Sequence, residues 1–291
     1  MIPPSFRKMP RWSRDGTAWL DELPELIRSS CERWRLTVSG TAVHGSNALV
    51  VPVTRADGDF VLRLTPPGPD AVAQVAALRF WNGRGTVHLV DTHRDAMLLE
   101  RLTPGTSLHT VPTDEAMHIL GSTMRRLAIP APPGVITDVP STAAAVARRM
   151  ATMEQEWRHL GRPFPESRLR EALEIGARLS QGARPELAVN GDLHSAQVLR
   201  ATREDWLVVD PVLMRGEIDY DLARTLWTRL DEMPSPARIV RHFDIVVTAA
   251  ETDRDRSRDW VVFRTADFWL WGLTAGLTDD PQRCARLLAT F

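Results

Sequence analysis

The sequence predicts an α+β chain in two parts: a small antiparallel sheet with accompanying helices, then a larger and mostly helical region. Three observations carry this. Short β-branched and apolar runs fill residues 48–102 in the order strand, strand, helix, strand, strand. Beyond Thr113, apolar residues recur three and four positions apart, which is the helical period. A single short β insertion at 198–210 interrupts that helical half, with Asp192 shortly before it and Asp210 at its end. Strands and helices segregated along a chain read as α+β rather than as alternating α/β.

The elements follow in order. Residues 17–36 carry Leu20, Leu23, Leu26, Ile27 and Trp34 at helical spacing, interrupted by Pro24. Ala48–Thr54 and Phe60–Leu64 read as strands joined through Ala56-Asp57-Gly58-Asp59, because Asp-Gly is a strong hairpin signal. Pro66-Pro67-Gly68-Pro69 stops the second strand. A helix over 70–81 places Gln74, Leu78 and Trp81 on one face. Two further strands, Val87–Val90 and Ala96–Leu102, flank a polar turn at 91–95. Thr103-Pro104-Gly105 ends this half, so the predicted boundary separates residues 1–102 from 103–291.

In the second half Thr113 caps a helix bearing Met117, Leu120, Met124 and Leu127. The prolines of 129–134 break it. Ser141 caps the next, with Val146, Met150, Met153, Trp157 and Leu160, and 166–180 forms a third. After the β insertion, helices resume near Asp219, Arg238, Asp259 and Asp280.

Composition excludes several classes. The chain has 291 residues, 43% apolar and 25% charged, with a net charge of −1. That is ordinary for a globular protein, and it offers no basic excess for nucleic acid. No apolar run approaches the roughly 20 residues that span a bilayer, and the first dozen residues lack a secretory apolar core. Cys31 and Cys284 are the only cysteines and form no C-x-x-C. The expectation is a cytoplasmic protein with reduced thiols and no structural zinc. Almost every basic residue is Arg; Lys8 is the only lysine.

Asn190-Gly191-Asp192-Leu193-His194-Ser195-Ala196-Gln197 and Trp206-Leu207-Val208-Val209-Asp210-Pro211 carry the chemistry. Asp192 lies five residues before Gln197 and 18 before Asp210. Phosphoryl transfer needs a base for the attacking hydroxyl, then an amide and a second carboxylate for magnesium, at about this spacing. A lone Asp near a strand start is more often a cap or a turn former; the paired spacing argues for function here.

With these residues in view, the chain resembles the aminoglycoside/hydroxyurea antibiotic resistance kinases, a branch of the aminoglycoside phosphotransferase superfamily, and within it the streptomycin 6-phosphotransferases. Gly191-Asp192-Leu193-His194 with Asp210-Pro211 marks the superfamily. Met97-Leu98-Leu99-Glu100-Arg101-Leu102 and Trp206-Leu207-Val208-Val209-Asp210-Pro211 narrow it to the branch. Leu49-Val50-Val51-Pro52-Val53, Val61-Leu62-Arg63-Leu64, Ala77-Leu78-Arg79-Phe80-Trp81, Pro130-Ala131-Pro132-Pro133-Gly134 and Gly216-Glu217 extend the likeness along most of the chain.

The resemblance implies a bilobal protein-kinase-like fold, ATP and Mg2+ as cofactors, and a cationic aminocyclitol such as streptomycin as acceptor. It makes Asp192 the base and Asp210 the principal metal ligand. Gln197 stands where the family has Asn, so it either reaches the metal on its longer stem or leaves one metal site weakened. Arg63 replaces the phosphate-binding Lys; the alternative is an Arg on a solvated strand face. Gln74 stands where a helix Glu would brace that cation. Ser46, in the turn His44-Gly45-Ser46-Asn47, would cover phosphate. Backbone groups of Glu100 and Leu102 would meet adenine.

Acceptor candidates are His194, Glu217 and Asp219, then Asp221, Glu154, Glu156 and Asp267, with Trp269 and Trp271 as candidates to line a sugar site, against packing as the commoner role of tryptophan. The same chemistry on hydroxyurea, an amino sugar or a biosynthetic intermediate is one alternative. Another is a degenerate kinase that binds nucleotide without turnover, since Arg63, Gln74, Asn190 and Gln197 all depart from the family pattern.

Overall fold

The computed structural model describes residues 2–9, 12, 17–103, 105–130, 134, 138–182 and 186–291. The segments at 131–133 and 135–137, which include part of the proline run quoted above, lie outside them. The chain divides into two compact units. The first comprises Met1–Pro104 with Ala201–Leu207, and the second Gly105–Arg200 with Val208–Phe291.

In the first unit a helical turn, α1 (Pro4–Arg7), precedes α2 (Ala18–Trp34). The sheet comprises β1 (Thr37–Val38), β2 (Val43–His44), β3 (Leu49–Arg55), β4 (Gly58–Leu64), β5 (Leu89–His93) and β6 (Ala96–Glu100). Its order is β1-β3-β4-β6-β5, with β2 also on β3, and its pairings are antiparallel. The helix α3 (Pro69–Trp81) lies between β4 and β5 in the chain. Alternation along the strands builds two apolar layers. Leu49, Val51, Val53, Leu62, Leu64 and Leu98 pack with Leu20, Leu23 and Leu26 of α2. Val61, Met97 and Leu99 belong to a second cluster with Leu78 of α3, Val87 and Leu102.

Three details differ from the sequence reading. Pro24 sits inside α2 without ending it. The strand predicted at 87–90 is displaced to Leu89–His93, and the turn shrinks to Arg94 and Asp95, with Arg94 at φ 52°. β5 is an edge strand whose side chains are half-buried or exposed, so polar Asp91, Thr92 and His93 fit a strand there. The two-residue strands β1 and β2 are too short to leave a periodic signal.

The second unit holds α4 (Thr113–Leu127), α5 (Thr142–His159), α6 (Glu166–Leu179), α7 (Leu222–Trp227), α8 (Pro236–Ala250), α9 (Arg254–Thr274) and α10 (Asp279–Thr290). Ser141 caps α5, its hydroxyl accepting from the Ala144 amide. Apolar faces of α5, α6 and α9 meet through Val146, Met153, Trp157, Leu169, Ile175, Trp260 and Phe263. The helices α4 and α8 approach so closely that a Cβ on Gly121 would lie 2.5 Å from the Val246 carbonyl oxygen.

A small sheet of β7 (Ile129–Pro130), β8 (Leu187–Asn190) and β11 (Leu213–Gly216), in the order β11-β8-β7, was not anticipated from the sequence. The predicted β insertion appears as the hairpin of β9 (Val198–Arg200) and β10 (Trp206–Val208), whose tip belongs to the first unit. Among the described residues no helix is long and apolar enough to cross a membrane.

Candidate active site

The unanticipated sheet explains how residues 18 apart in the chain come together. β8 ends at Asn190, and the antiparallel register sets Leu213 of β11 opposite it. The turn leaving β8 and the turn entering β11 therefore share one end of the sheet. Asn190 links them: its buried Oδ1 accepts from the Val212 amide at 2.8 Å and from the Asp192 amide at 3.4 Å. The Gly191 amide donates to the Val212 carbonyl at 2.8 Å. Asn190, noted in the sequence only as a departure from the family His, thus joins the Asp192 turn to the Asp210 turn.

Both oxygens of the Asp192 carboxylate are engaged. Oδ1 forms an ion pair with Nε of Arg224. Oδ2 accepts from Nε2 of Gln197 at 3.1 Å. An ionised carboxylate can only accept, so the amide nitrogen faces Asp192 and the amide oxygen turns away. That oxygen, Oε1, is buried with no hydrogen-bond partner. The Val209 amide donates to the Gln197 carbonyl at 2.9 Å, which sets Gln197 beside the strand leading into half-buried Asp210.

This arrangement fits the magnesium that the resemblance implies. A buried amide oxygen without a protein partner and a carboxylate one residue beyond the Val209–Gln197 backbone contact are hard oxygen donors. Magnesium bound with a nucleotide typically takes one or two protein oxygens, the rest coming from phosphate and water. Among the described residues no cluster of three His, Cys, Asp or Glu forms a metal site by itself.

One helical face clamps the turn. Asp221, Arg224 and Thr225 stand at i, i+3 and i+4, on one side of α7. Asp221 accepts the Leu193 amide, Thr225 Oγ1 donates to the Leu193 carbonyl at 3.1 Å, and Arg224 holds Asp192. Burial first, and the nearby Asp192 charge second, push the Asp221 carboxyl upward. His194 is lowered to about 4, by burial and then by the Arg224 charge, so it is neutral at pH 7. Its carbonyl accepts from the Gln197 amide at 3.0 Å, closing the loop.

In the first unit Arg63 lies on β4 with Val50 and Met97 as its pairing partners, and it is buried. The solvated-face alternative therefore does not hold for it. It shares its sheet face with the cluster of Val61, Met97, Leu99 and Leu78. Gln74 is also buried, on α3. Ser46 is exposed in the β2–β3 turn, which is closed by the Gly45 amide donating to Ala48 at 3.0 Å.

Glu100, expected at an adenine edge through its backbone, has its amide and carboxylate engaged within the first unit. Its amide donates to the His88 carbonyl at 3.1 Å. Its carboxylate accepts from the His88 amide at 2.8 Å and from Arg203 at 2.8 and 3.2 Å. Leu102 is half-buried against the Leu78 cluster. Arg203 also donates to the carbonyls of Gly83 and Thr86, at 2.8 and 3.0 Å.

The acidic acceptor candidates are occupied by partners of their own. Glu217 is 7% exposed and accepts from Arg256 twice at 2.7 Å and from Trp260 Nε1 at 3.0 Å. Asp219 is 5% exposed, accepts from Ser257 Oγ, and is lifted to about 6 by burial. Arg149 ties Glu156 to Asp267, and Glu154 pairs with Arg158. The structure thus places Glu217 and Asp219 in the interior, where the sequence reading expected them to face an acceptor. Trp269 packs on Phe164, whereas Trp271 is 50% exposed at the end of a stack through Phe268 to Trp227.

Sequence and structure comparisons converge on one family. The model for the aminoglycoside/hydroxyurea antibiotic resistance kinase family matches residues 33–276. A streptomycin 6-kinase of Streptomyces griseus is 36% identical over 273 residues, covering 91% of this chain and 87% of that protein. A hydroxyurea phosphotransferase of Kitasatospora aureofaciens is 30% identical over 285 residues, covering 92% of this chain and 78% of that protein. Among solved structures, aminoglycoside phosphotransferase APH(4)-Ia superposes with a TM-score of 0.63 at 14% identity, covering 92% of this chain and 99% of that one. A choline kinase from Cryptosporidium parvum gives 0.62 at 10% identity, covering 92% and 95%. These two likenesses establish the protein-kinase-like α+β fold. The chain belongs to the aminoglycoside/hydroxyurea antibiotic resistance kinase family.

Proposed function

We propose that this chain is an ATP- and magnesium-dependent O-phosphotransferase that modifies a hydroxyl of a cationic aminocyclitol antibiotic such as streptomycin. The observation that carries the reading is the Asp192 carboxylate, held on Oδ1 by Arg224 and on Oδ2 by Gln197, with the Asp210 turn tied to it through Asn190. Asp192 would orient the acceptor hydroxyl and take its proton. Asp210 and Gln197 Oε1 would hold magnesium, which when bound neutralises phosphate charge. In the first unit, buried Arg63 would counter the phosphates, Ser46 would lie over them, and the apolar face ending at Leu102 would receive adenine. Positioning and charge neutralisation supply the catalysis, without a covalent enzyme intermediate. Dependence on ATP makes the cytoplasm the compartment of action.

The acceptor class is supported by the streptomycin 6-kinases of Streptomyces griseus and Streptomyces glaucescens, 36% and 32% identical to this chain. The hydroxyurea phosphotransferase relative favours hydroxyurea as the second reading. Purified protein with ATP and magnesium, offered streptomycin, other aminoglycosides and hydroxyurea separately, tests both through ADP release. Release with streptomycin that disappears in Asp192→Ala supports the first reading. Release with hydroxyurea alone supports the second. No release with any acceptor, while nucleotide still raises the unfolding temperature, overturns both in favour of a binding protein.

A further inference from the structure

We propose that Arg224 is the positioning residue of the phosphoryl-transfer base, fixing the Asp192 carboxylate through one oxygen so that the other faces the acceptor hydroxyl and Gln197. The proposal rests on the reading of Asp192 as that base.

Four contacts carry it. Arg224 Nε forms an ion pair with Asp192 Oδ1 without hydrogen-bond geometry. The neighbouring backbone of Leu193 is held at both its amide and its carbonyl, by Asp221 and Thr225 of the same helical face. The Asp192 amide is held by Asn190. The main chain is thereby fixed independently of Arg224, and what remains for Arg224 to determine is the rotation of the carboxylate. Two single bonds separate that carboxylate from its fixed backbone, and a wrong rotamer would carry Oδ2 away from Gln197.

Charge argues in the same direction. Asp221 is buried behind the turn, and its Oδ1 has no hydrogen-bond partner. Two carboxylates thus flank Leu193, and Arg224 is the cation that touches the outer one. Without it Asp192 would be repelled from Asp221 and would swing outward. The contact is one of charge proximity, because Arg224 Nε makes no hydrogen bond, so the ammonium of Lys would reproduce part of it.

The test uses the full chain with Arg224→Ala, Arg224→Lys and Arg224→Gln, assayed by ADP release with the acceptor that the wild type turns over. A misplacement of about 1 Å at a reacting group costs about 100-fold. The expected result is a kcat lower by about 30- to 100-fold in Arg224→Ala and Arg224→Gln, with KM for acceptor and the affinity for nucleotide within about threefold of wild type. Arg224→Lys should retain intermediate kcat. Millimolar methylguanidinium should restore part of kcat to Arg224→Ala and none to Asp192→Ala. Wild-type kcat in Arg224→Ala overturns the proposal, as does a loss that appears in KM with kcat intact, or one that neither Lys nor methylguanidinium relieves. If the Ala variant does not fold, Lys and Gln decide by the same kcat-against-KM comparison. Absence of turnover by the wild type with every acceptor overturns the underlying reading and this proposal together.

Discussion

Arg256 grips Glu217 through two parallel hydrogen bonds of 2.7 Å, and Trp260 adds a third donor to the same carboxylate. A carboxylate so enclosed is part of the framework. Glu217→Ala should cost about 2–3 kcal/mol in urea unfolding, because Trp260 Nε1 loses its acceptor and a partly buried guanidinium loses its counter-charge. Measured on the folded fraction, KM for the acceptor should change less than about twofold. A large rise in KM with unchanged stability would return Glu217 to the acceptor site.

Asp219 gives stability a pH dependence of defined sign. Its pKa is raised by burial from the ordinary 3.8 to about 6. The folded chain therefore binds the proton more tightly than the unfolded chain, and stability falls as pH rises from about 4 through about 6. The full effect is on the order of 3 kcal/mol. Asp219→Asn keeps an acceptor for Ser257 and removes the charge. Its stability relative to wild type should improve between pH 4.5 and pH 7.5 in urea titrations; a constant difference across that window would contradict the assignment.

Under the proposed reading, Gln197 variants separate metal binding from base orientation. Gln197→Glu keeps an oxygen donor but sets a carboxylate against Asp192 Oδ2. Nucleotide binding should remain magnesium-dependent while kcat falls by about 10- to 100-fold. Gln197→Ala should instead raise the magnesium concentration needed for half-maximal nucleotide binding. Calorimetry with a non-hydrolysable nucleotide reads the binding arm without turnover.

Gly216 stands at φ 141°, and a Cβ there would lie 1.9 Å from Thr142 Oγ1. Gly216→Ala should lower the thermal midpoint strongly. Adding Thr142→Ala should recover only part of the loss, because the clash goes but about 1–3 kcal/mol of backbone strain stays. Full recovery in the double variant would show that contact alone demands glycine.

The fold was legible where elements are long and periodic, as in α2, α4, α5 and α6. It was not legible in β8 and β11, four residues each, whose buried runs carry no alternation that distinguishes strand from coil. That sheet joins the Asp192 turn to the Asp210 turn, so the sequence offered the candidate groups but not what brings them together. The burial of Glu217 and Asp219 was not legible because an acidic side chain looks the same whether it is solvated or paired inside. The near-equality of 36 basic and 37 acidic residues was the available hint of pairing. The contact of Arg224 with Asp192 was not read from the sequence, although its three-residue spacing from Asp221 and its neighbour Thr225 spell out one helix face.

The hairpin tip at Ala201–Leu207 has a consequence for biosynthesis. Arg203 supplies the donors for the carbonyls of Gly83 and Thr86 and the counter-charge of Glu100, all members of the first unit. When the ribosome has produced residue 104, these acceptors still await a segment roughly a hundred residues downstream, about 5–20 s away at ordinary elongation rates. The amino-terminal unit is begun first and completed late, and a fragment ending at residue 104 would lack its own final piece.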